Sequence, residues 1–132
     1  MTIRLDHTIV AARDGEVSAR WFADLFGLAP PIPFSVFWQV SLPDGVDLDF
    51  DTYGADATFT TSHYAFRVDE PEFDAIFGRI LSRGIDHWAD PGRKRAREVN
   101  HHDGGRGVYF ADPDDHLLEI ITVPYGGVAK PS

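Results

Sequence analysis

The chain has 132 residues, about one ordinary domain and enough to bury one core. A formal net charge of −9 disfavours nucleic acid and anionic membrane surfaces as partners, since both draw proteins in through Lys and Arg. No cysteine is present, which excludes disulfides and thiolate metal sites and leaves His, Asp and Glu as the side chains able to hold a metal.

Residues 3–10 alternate, with Ile3, Leu5, His7 and Ile9 in one row, the period of a half-buried strand that begins almost at the N-terminus. No signal-peptide pattern precedes it and no apolar run has membrane-spanning length, so a soluble cytoplasmic domain is expected. Asp14 stands where an N-cap belongs, ahead of Val17, Trp21, Leu25 and Leu28 at helical spacing, and Gly27 marks the end of that helix. After Pro30, Pro31 and Pro33 the β-branched and aromatic residues 34–42 and the alternating stretch Val46 to Phe50 flank a Pro43-Asp44-Gly45 turn, which predicts a hairpin.

The pattern then recurs. Residues 61–68 read as a strand, Asp69 and Glu72 form a capping box with Pro71 in the first turn, and Phe73, Ile76, Phe77 and Ile80 make one helical face that ends at Gly84. Strands at 107–110 and 117–123 enclose a turn at Asp112 to Asp115, and a loop at 91–105 carries the basic run Arg93 to Arg97. The offset between the halves is about 56 positions, His7 against His63, which predicts an α+β domain of two tandem βαβββ modules. The modules are placed at about 3–53 and 60–123, with 124–132 as a frayed tail.

Three side chains in this frame carry chemistry. His7 lies in an apolar row, where an imidazole needs a carbonyl partner or a metal. Glu119 shares a face with Leu117, Ile121 and Val123, where a carboxylate needs either an arginine such as Arg67 or Arg106, or a bound cation. Two histidines at equivalent places in two repeats, with a carboxylate in the last strand of the second, form a two-histidine, one-carboxylate set that leaves coordination positions open for substrate or oxygen. Asp49 corresponds to Glu119 in the first repeat and is a potential fourth ligand, although its row with Asp47 and Asp51 reads as a solvated face.

The order His7 (in LDHTIV), His63 (in SHYAFRV), then Gly107-Val108-Tyr109-Phe110-x-Asp112-Pro113-x-x-His116-Leu117-Leu118-Glu119 resembles the vicinal oxygen chelate superfamily over residues 3–123. That superfamily includes glyoxalase I, fosfomycin-resistance thiol transferases, bleomycin-resistance proteins and type I extradiol dioxygenases. The resemblance implies modules curled into a U-shaped, partly open mixed β-barrel with helices outside, and a homodimer that in some members shares sites between chains. It also implies a divalent ion on His7, His63 and Glu119.

The C-terminal block looks like the extradiol signature, which implies an acid/base role for His102 and a substrate hydrogen bond from Tyr109. Asp115 departs from that signature, and no histidine between His7 and His63 supplies the usual acid/base group. The leading expectation is Fe(II) and a small catechol-like substrate. A glyoxalase- or epimerase-like isomerase using Mn, Ni, Co or Zn comes second, a fosfomycin-type transferase third. A metal-free antibiotic-binding protein, its pocket lined by Phe34, Phe37, Trp38, Phe59 and Trp88, is the non-enzymatic alternative. The tandem histidines His101 and His102 also suit an exposed polar loop, and Tyr109 also suits a core strand.

Overall fold

The computed structural model describes residues 2–127 and divides into two compact units, Met1–Thr61 and Ser62–Ser132. Each unit has the order βαβββ expected from the repeat, so the class is α+β. No helix among the described residues is long and apolar enough to cross a membrane.

Unit 1 runs β1 (His7–Ala12), α1 (Gly15–Phe26), β2 (Ile32–Phe34), β3 (Phe37–Ser41) and β4 (Asp47–Thr52). Its sheet has the order β1-β4-β3-β2, with β1 parallel to β4 and the other pairs antiparallel. The parallel pair exists because the connection between β1 and β2 is a helix, and the antiparallel pairs because short turns join β2, β3 and β4. Asp14 caps α1 by accepting from the Val17 N–H at 3.2 Å, and Gly27 ends the helix in the left-handed conformation that only glycine adopts without strain. Phe22 stacks on Phe26 with centroids 4.2 Å apart and meets Phe50 of β4 at 6.0 Å, which places the core of this unit between α1 and the sheet.

The strand expected over 3–10 begins later, at His7, and its buried row is the opposite one. Val10 and Ala12 enter the core, whereas Ile3, Leu5, His7 and Ile9 are exposed. The alternation was read correctly but the wrong row was assigned to the interior, because both rows carry apolar residues. The converse holds at β4: Asp49, read with Asp47 and Asp51 as a solvated face, is buried, and its Oδ1 accepts from Gln39 Nε2 at 3.0 Å.

Unit 2 repeats the plan with β5 (His63–Arg67), α2 (Glu70–Ser82), β6 (His87–Trp88), β7 (Gly107–Ala111) and β8 (Leu117–Ile121), in the order β5-β8-β7-β6. Asp69 caps α2 through the Glu72 N–H at 2.8 Å, as the capping box predicts. Phe73, Ile76 and Ile80 of that helix are buried, as are Val108 and Phe110 of β7 and Leu118 and Ile120 of β8. The short strand β6 was not legible in the sequence. The loop after it is ordered by bridges from Trp88 to Ala96 and from Asn100 to Gly107, and by a 3-10 turn at His102–Gly104. Of the expected frayed tail, residues 124–127 form a turn closed by Gly127 N–H to Pro124 O at 2.9 Å, and 128–132 lie outside the described residues.

The turn between β7 and β8 anchors the start of β5. Asp112 Oδ1 accepts from the N–H groups of Asp114 and His116, both at 2.9 Å. The buried His116 accepts at Nδ1 from Ser62 N–H at 2.9 Å, and Leu117 N–H returns a bond to Ser62 O at 3.0 Å. Residue 63 is thereby fixed against β8 before the strand ladder begins.

Two tests follow from this packing. Gly15 lies so close to β4 that a Cβ there would sit 2.9 Å from Thr52 Oγ1 and 3.0 Å from Phe50 O. Gly15→Ala is therefore expected to lose about 1–3 kcal/mol in chemical denaturation by pushing α1 off the sheet. Burial raises the Asp112 carboxyl to about 6, outweighing the backbone N–H bonds that favour its charged form. A folded-state value above the unfolded one means a stabilising contribution that is full below about 3.8 and lost as the pH rises through about 6. The denaturant midpoint of wild type relative to Asp112→Asn should fall across that window; a flat difference would contradict the assignment.

Candidate metal centre

Strand β8 lies between β5 and β7, so its central residue has a neighbour on each side. The register sets Ala65 and Tyr109 directly opposite Glu119, and pairs His63 with Leu117, one step along the same face. The small Ala65 side chain leaves the diagonal from His63 to Glu119 open. Glu119 is fully buried, and its Oε1 stands 3.2 Å from His63 Nε2. Its Oε2 accepts from the Tyr125 hydroxyl, which in turn is 2.8 Å from the Tyr109 hydroxyl. Of the two arginines offered as alternative partners for this carboxylate, Arg106 is held instead by Glu70 Oε2 at 3.0 Å and Asp74 Oδ1 at 2.8 Å.

The tautomer of His63 follows from its other nitrogen. Nδ1 is 2.8 Å from Leu117 O, and a carbonyl only accepts, so Nδ1 carries the proton. In the neutral ring Nε2 then presents a lone pair, and it faces a carboxylate oxygen that also presents lone pairs. Two acceptors in that relation need a positive particle between them, either a second proton on the ring or a cation. The Nδ1–H to carbonyl bond is the orientation that metal-ligating histidines adopt, because it fixes the ring and directs Nε2 outward. The donor set of this unit therefore fits a divalent ion held by one nitrogen and one oxygen.

The two tyrosines extend the carboxylate's hydrogen bonding. Burial pushes the Tyr109 hydroxyl far above the usual phenol range, helped by its bond to Tyr125 and the charge of Glu119. Tyr125 is also raised, first by burial and then by its bond to Glu119. Both stay protonated at neutral pH. The His63 and Tyr109 rings lie roughly parallel with centroids 6.0 Å apart, which forms a wall of two flat faces beside the pair.

Unit 1 carries the equivalents. The pairing of His7 with Asp47 and Ile9 with Asp49 repeats the pairing of His63 with Leu117 and Ala65 with Glu119, so Asp49 is the positional counterpart of Glu119. The side chains there are engaged differently. His7 is exposed and bonds through Nδ1 to its neighbour Asp6 at 2.7 Å, which raises its pKa, with further raising by the charges of Asp6, Asp49 and Asp47. No group of three His, Cys, Asp or Glu side chains able to hold a metal is assembled among the described residues.

Of the other expected residues, Tyr109 stands opposite Glu119 in the register, whereas His102 opens the exposed 3-10 turn and takes no part in the hydrogen-bonded chain from His63 to Tyr109. Tyr125 was missed. A lone tyrosine between Pro124 and a Gly-Gly pair has no periodicity, and nothing in sequence reveals that the turn folds back.

No family model matches the chain. Among solved structures, it is similar to the oxidase ChaP-H1, at 55% identity with a TM-score of 0.89, over 96% of this chain and 100% of that one. A glyoxylase/bleomycin resistance protein/dioxygenase domain from a Frankia species shares the fold at 19% identity and a TM-score of 0.67, over 92% of this chain and 98% of that one. The metallothiol transferase FosB of Shouchella clausii is 44% identical over 61 residues, which span 46% of this chain and 38% of that protein. With the tandem βαβββ units and a likeness to an oxidase that extends over that protein's full length, these relations identify the chain as a member of the vicinal oxygen chelate superfamily.

Proposed function

We propose that this chain is a metal-dependent oxidising enzyme acting on a small, catechol-like molecule with adjacent oxygens, and that His7, His63 and Glu119 hold the ion. The observation that carries this reading is the His63–Glu119 pair, with Nε2 3.2 Å from Oε1 and Nδ1 bonded to Leu117 O, the orientation of a metal-ligating histidine. Oxidation is preferred over other chemistries of the superfamily because the likeness to an oxidase is 55% identity over 96% of this chain, while the likeness to FosB is either 44% over 46% of it or 25% over 92%. A divalent ion in such a site supplies Lewis acidity that lowers the pKa of a substrate hydroxyl, and Fe(II) adds reactivity toward oxygen.

The protein's own part is positioning. Glu119 and His63 present their donors from a rigid sheet, with the ring of His63 locked by Leu117 O. Tyr109 borders the pair and orients a substrate oxygen. His102, on its exposed turn, moves a proton to or from the bound molecule. The third donor, His7, comes from the open face of β1 and is supplied by a second copy of the chain in a homodimer. Support for this sharing is that His7 is exposed on its strand.

The sequence likeness to FosB favours a second reading, thiol transfer to a phosphonate. Against it, three arginines of unit 2 are already paired with carboxylates: Arg93 with Asp115, Arg95 with Glu98, and Arg106 with Glu70 and Asp74.

Anaerobic Fe(II) loading followed by oxygen and a catechol panel should give oxygen uptake. Conjugation of a thiol to fosfomycin with Mn(II), and no oxygen uptake with any catechol, would establish the second reading instead. His63→Ala and Glu119→Gln should each weaken metal binding by at least about tenfold in a titration, whereas His102→Ala should keep the metal and lose about a hundredfold in turnover. Mixing inactive His7→Ala with inactive Glu119→Gln tests the shared site. Random re-pairing should restore about a quarter of wild-type activity, because half the dimers then hold one intact site. No recovery would place all three donors in one chain.

A further inference from the structure

Tyr125 has a placement that packing does not explain. Its residue is 47% exposed, so the ring is only half covered where it lies. Its hydroxyl nevertheless reaches a fully buried carboxylate. The segment that delivers it is fixed on both sides. Upstream, Gly105 packs so tightly against Val123 that a Cβ would lie 2.6 Å from Val123 Cγ2. Downstream, Gly126 N–H donates to Asp103 Oδ2 at 3.1 Å, and the turn is closed by Gly127 N–H to Pro124 O.

The hydrogen-bond count then determines direction. Each phenol has one proton. Tyr125 gives its proton to Glu119 Oε2, so at 2.8 Å it must accept from Tyr109. Two consequences follow. With Oε2 occupied, Glu119 presents Oε1 alone to His63, and rotation of the carboxylate would break the phenol bond. With its proton committed, Tyr109 offers only lone pairs to a third group, so it accepts from a substrate O–H instead of donating to a carbonyl.

Building on the metal-centre reading above, we propose that Tyr125 is a positioning residue of that centre. It holds Glu119 in a one-oxygen orientation toward the ion and sets Tyr109 as an acceptor for a hydroxylated substrate, acting from a C-terminal strap anchored to the loop of Asp103. It touches neither ion nor substrate itself.

The test uses the full chain and Co(II) alone as the probe. Tyr125→Phe keeps the ring and deletes the hydroxyl. It should weaken Co(II) binding about tenfold, the cost typical of removing an outer partner of a ligand, and should alter the visible d–d spectrum as the carboxylate changes its mode of coordination. The metal-free variant should unfold at a somewhat lower midpoint, because the buried carboxylate loses a donor, so the spectrum and not the midpoint is the diagnostic readout. Tyr109→Phe should weaken Co(II) binding less than Tyr125→Phe does, because Tyr109 acts on the carboxylate mainly through its bond to Tyr125.

Should Tyr125→Phe fold poorly, Asp103→Gly loosens the strap without touching Glu119, and glycine tolerates the positive φ of 54° there. It should shift affinity and spectrum in the same direction by a smaller amount. Wild-type affinity and spectrum in Tyr125→Phe would overturn the proposal, as would weaker binding with an unchanged spectrum, the mark of a merely structural residue. Failure of the wild-type protein itself to take up Co(II) would sink the metal-centre reading and this proposal with it, and is distinguished by occurring before any substitution is made.

Discussion

A carboxylate with no exposure in the middle of a sheet is the constraint around which unit 2 is organised. Taking such a group from water costs several kcal/mol unless its lone pairs are met by donors or a cation, a cost that the neighbouring apolar residues cannot offset. Glu119 meets it from three directions: the parallel neighbour β5 brings His63, the antiparallel neighbour β7 brings Tyr109, and the chain beyond β8 returns with Tyr125. The strand order β5-β8-β7-β6 is what makes this convergence available, since only a strand with partners on both sides has a residue flanked by two others on one face. Topology and site are in this sense one feature.

Much of this was legible in the sequence, and what was not has identifiable causes. The helices were readable because their ends carry chemistry: Asp14 and Asp69 accept from N–H groups three residues on, and Gly27 adopts the left-handed conformation at the end of α1. Glu119 stood out because a charge interrupts an apolar row. The burial of β1 was misassigned because alternation gives the period of a strand but not which row faces inward when Val10 and Ala12 compete with Ile3, Leu5 and Ile9. Asp49 was taken for a surface residue because its partner, Gln39, lies ten positions away on the adjacent strand, and a cross-strand hydrogen bond has no signature in a single strand. The two-residue β6 is too short for any period to show.

The repeat also shows how one scaffold is put to two uses. Register places His7 and Asp49 in unit 1 where His63 and Glu119 stand in unit 2, yet the local partners differ. His63 gives its Nδ1 proton to a backbone carbonyl and turns Nε2 toward the carboxylate. His7 turns Nδ1 toward Asp6, and Asp49 is bonded by an amide side chain. An imidazole whose Nδ1 is bonded to a carboxylate keeps Nε2 for another acceptor or a metal, so His7 is suited to act as a third donor in a site whose other two donors are fixed elsewhere. Asp49, with one oxygen already taken by Gln39, is less suited to coordinate.

Electrostatics narrows the chemistry further. A chain of net charge −9 is a poor host for an anionic substrate unless cations are gathered at the site. In unit 2, Arg93, Arg95 and Arg106 are drawn into ion pairs with carboxylates, and Arg106 also covers the ring of Phe73 at 4.3 Å. A phosphonate bound by these three arginines would displace those carboxylates, losing one set of charge-assisted bonds to form another. A neutral diol or catechol makes no such demand: it needs a Lewis acid, an acceptor for its hydroxyl and flat walls to lie against. The His63–Glu119 pair, the Tyr109 hydroxyl and the parallel His63 and Tyr109 rings are the features on which the proposed uncharged aromatic substrate rests.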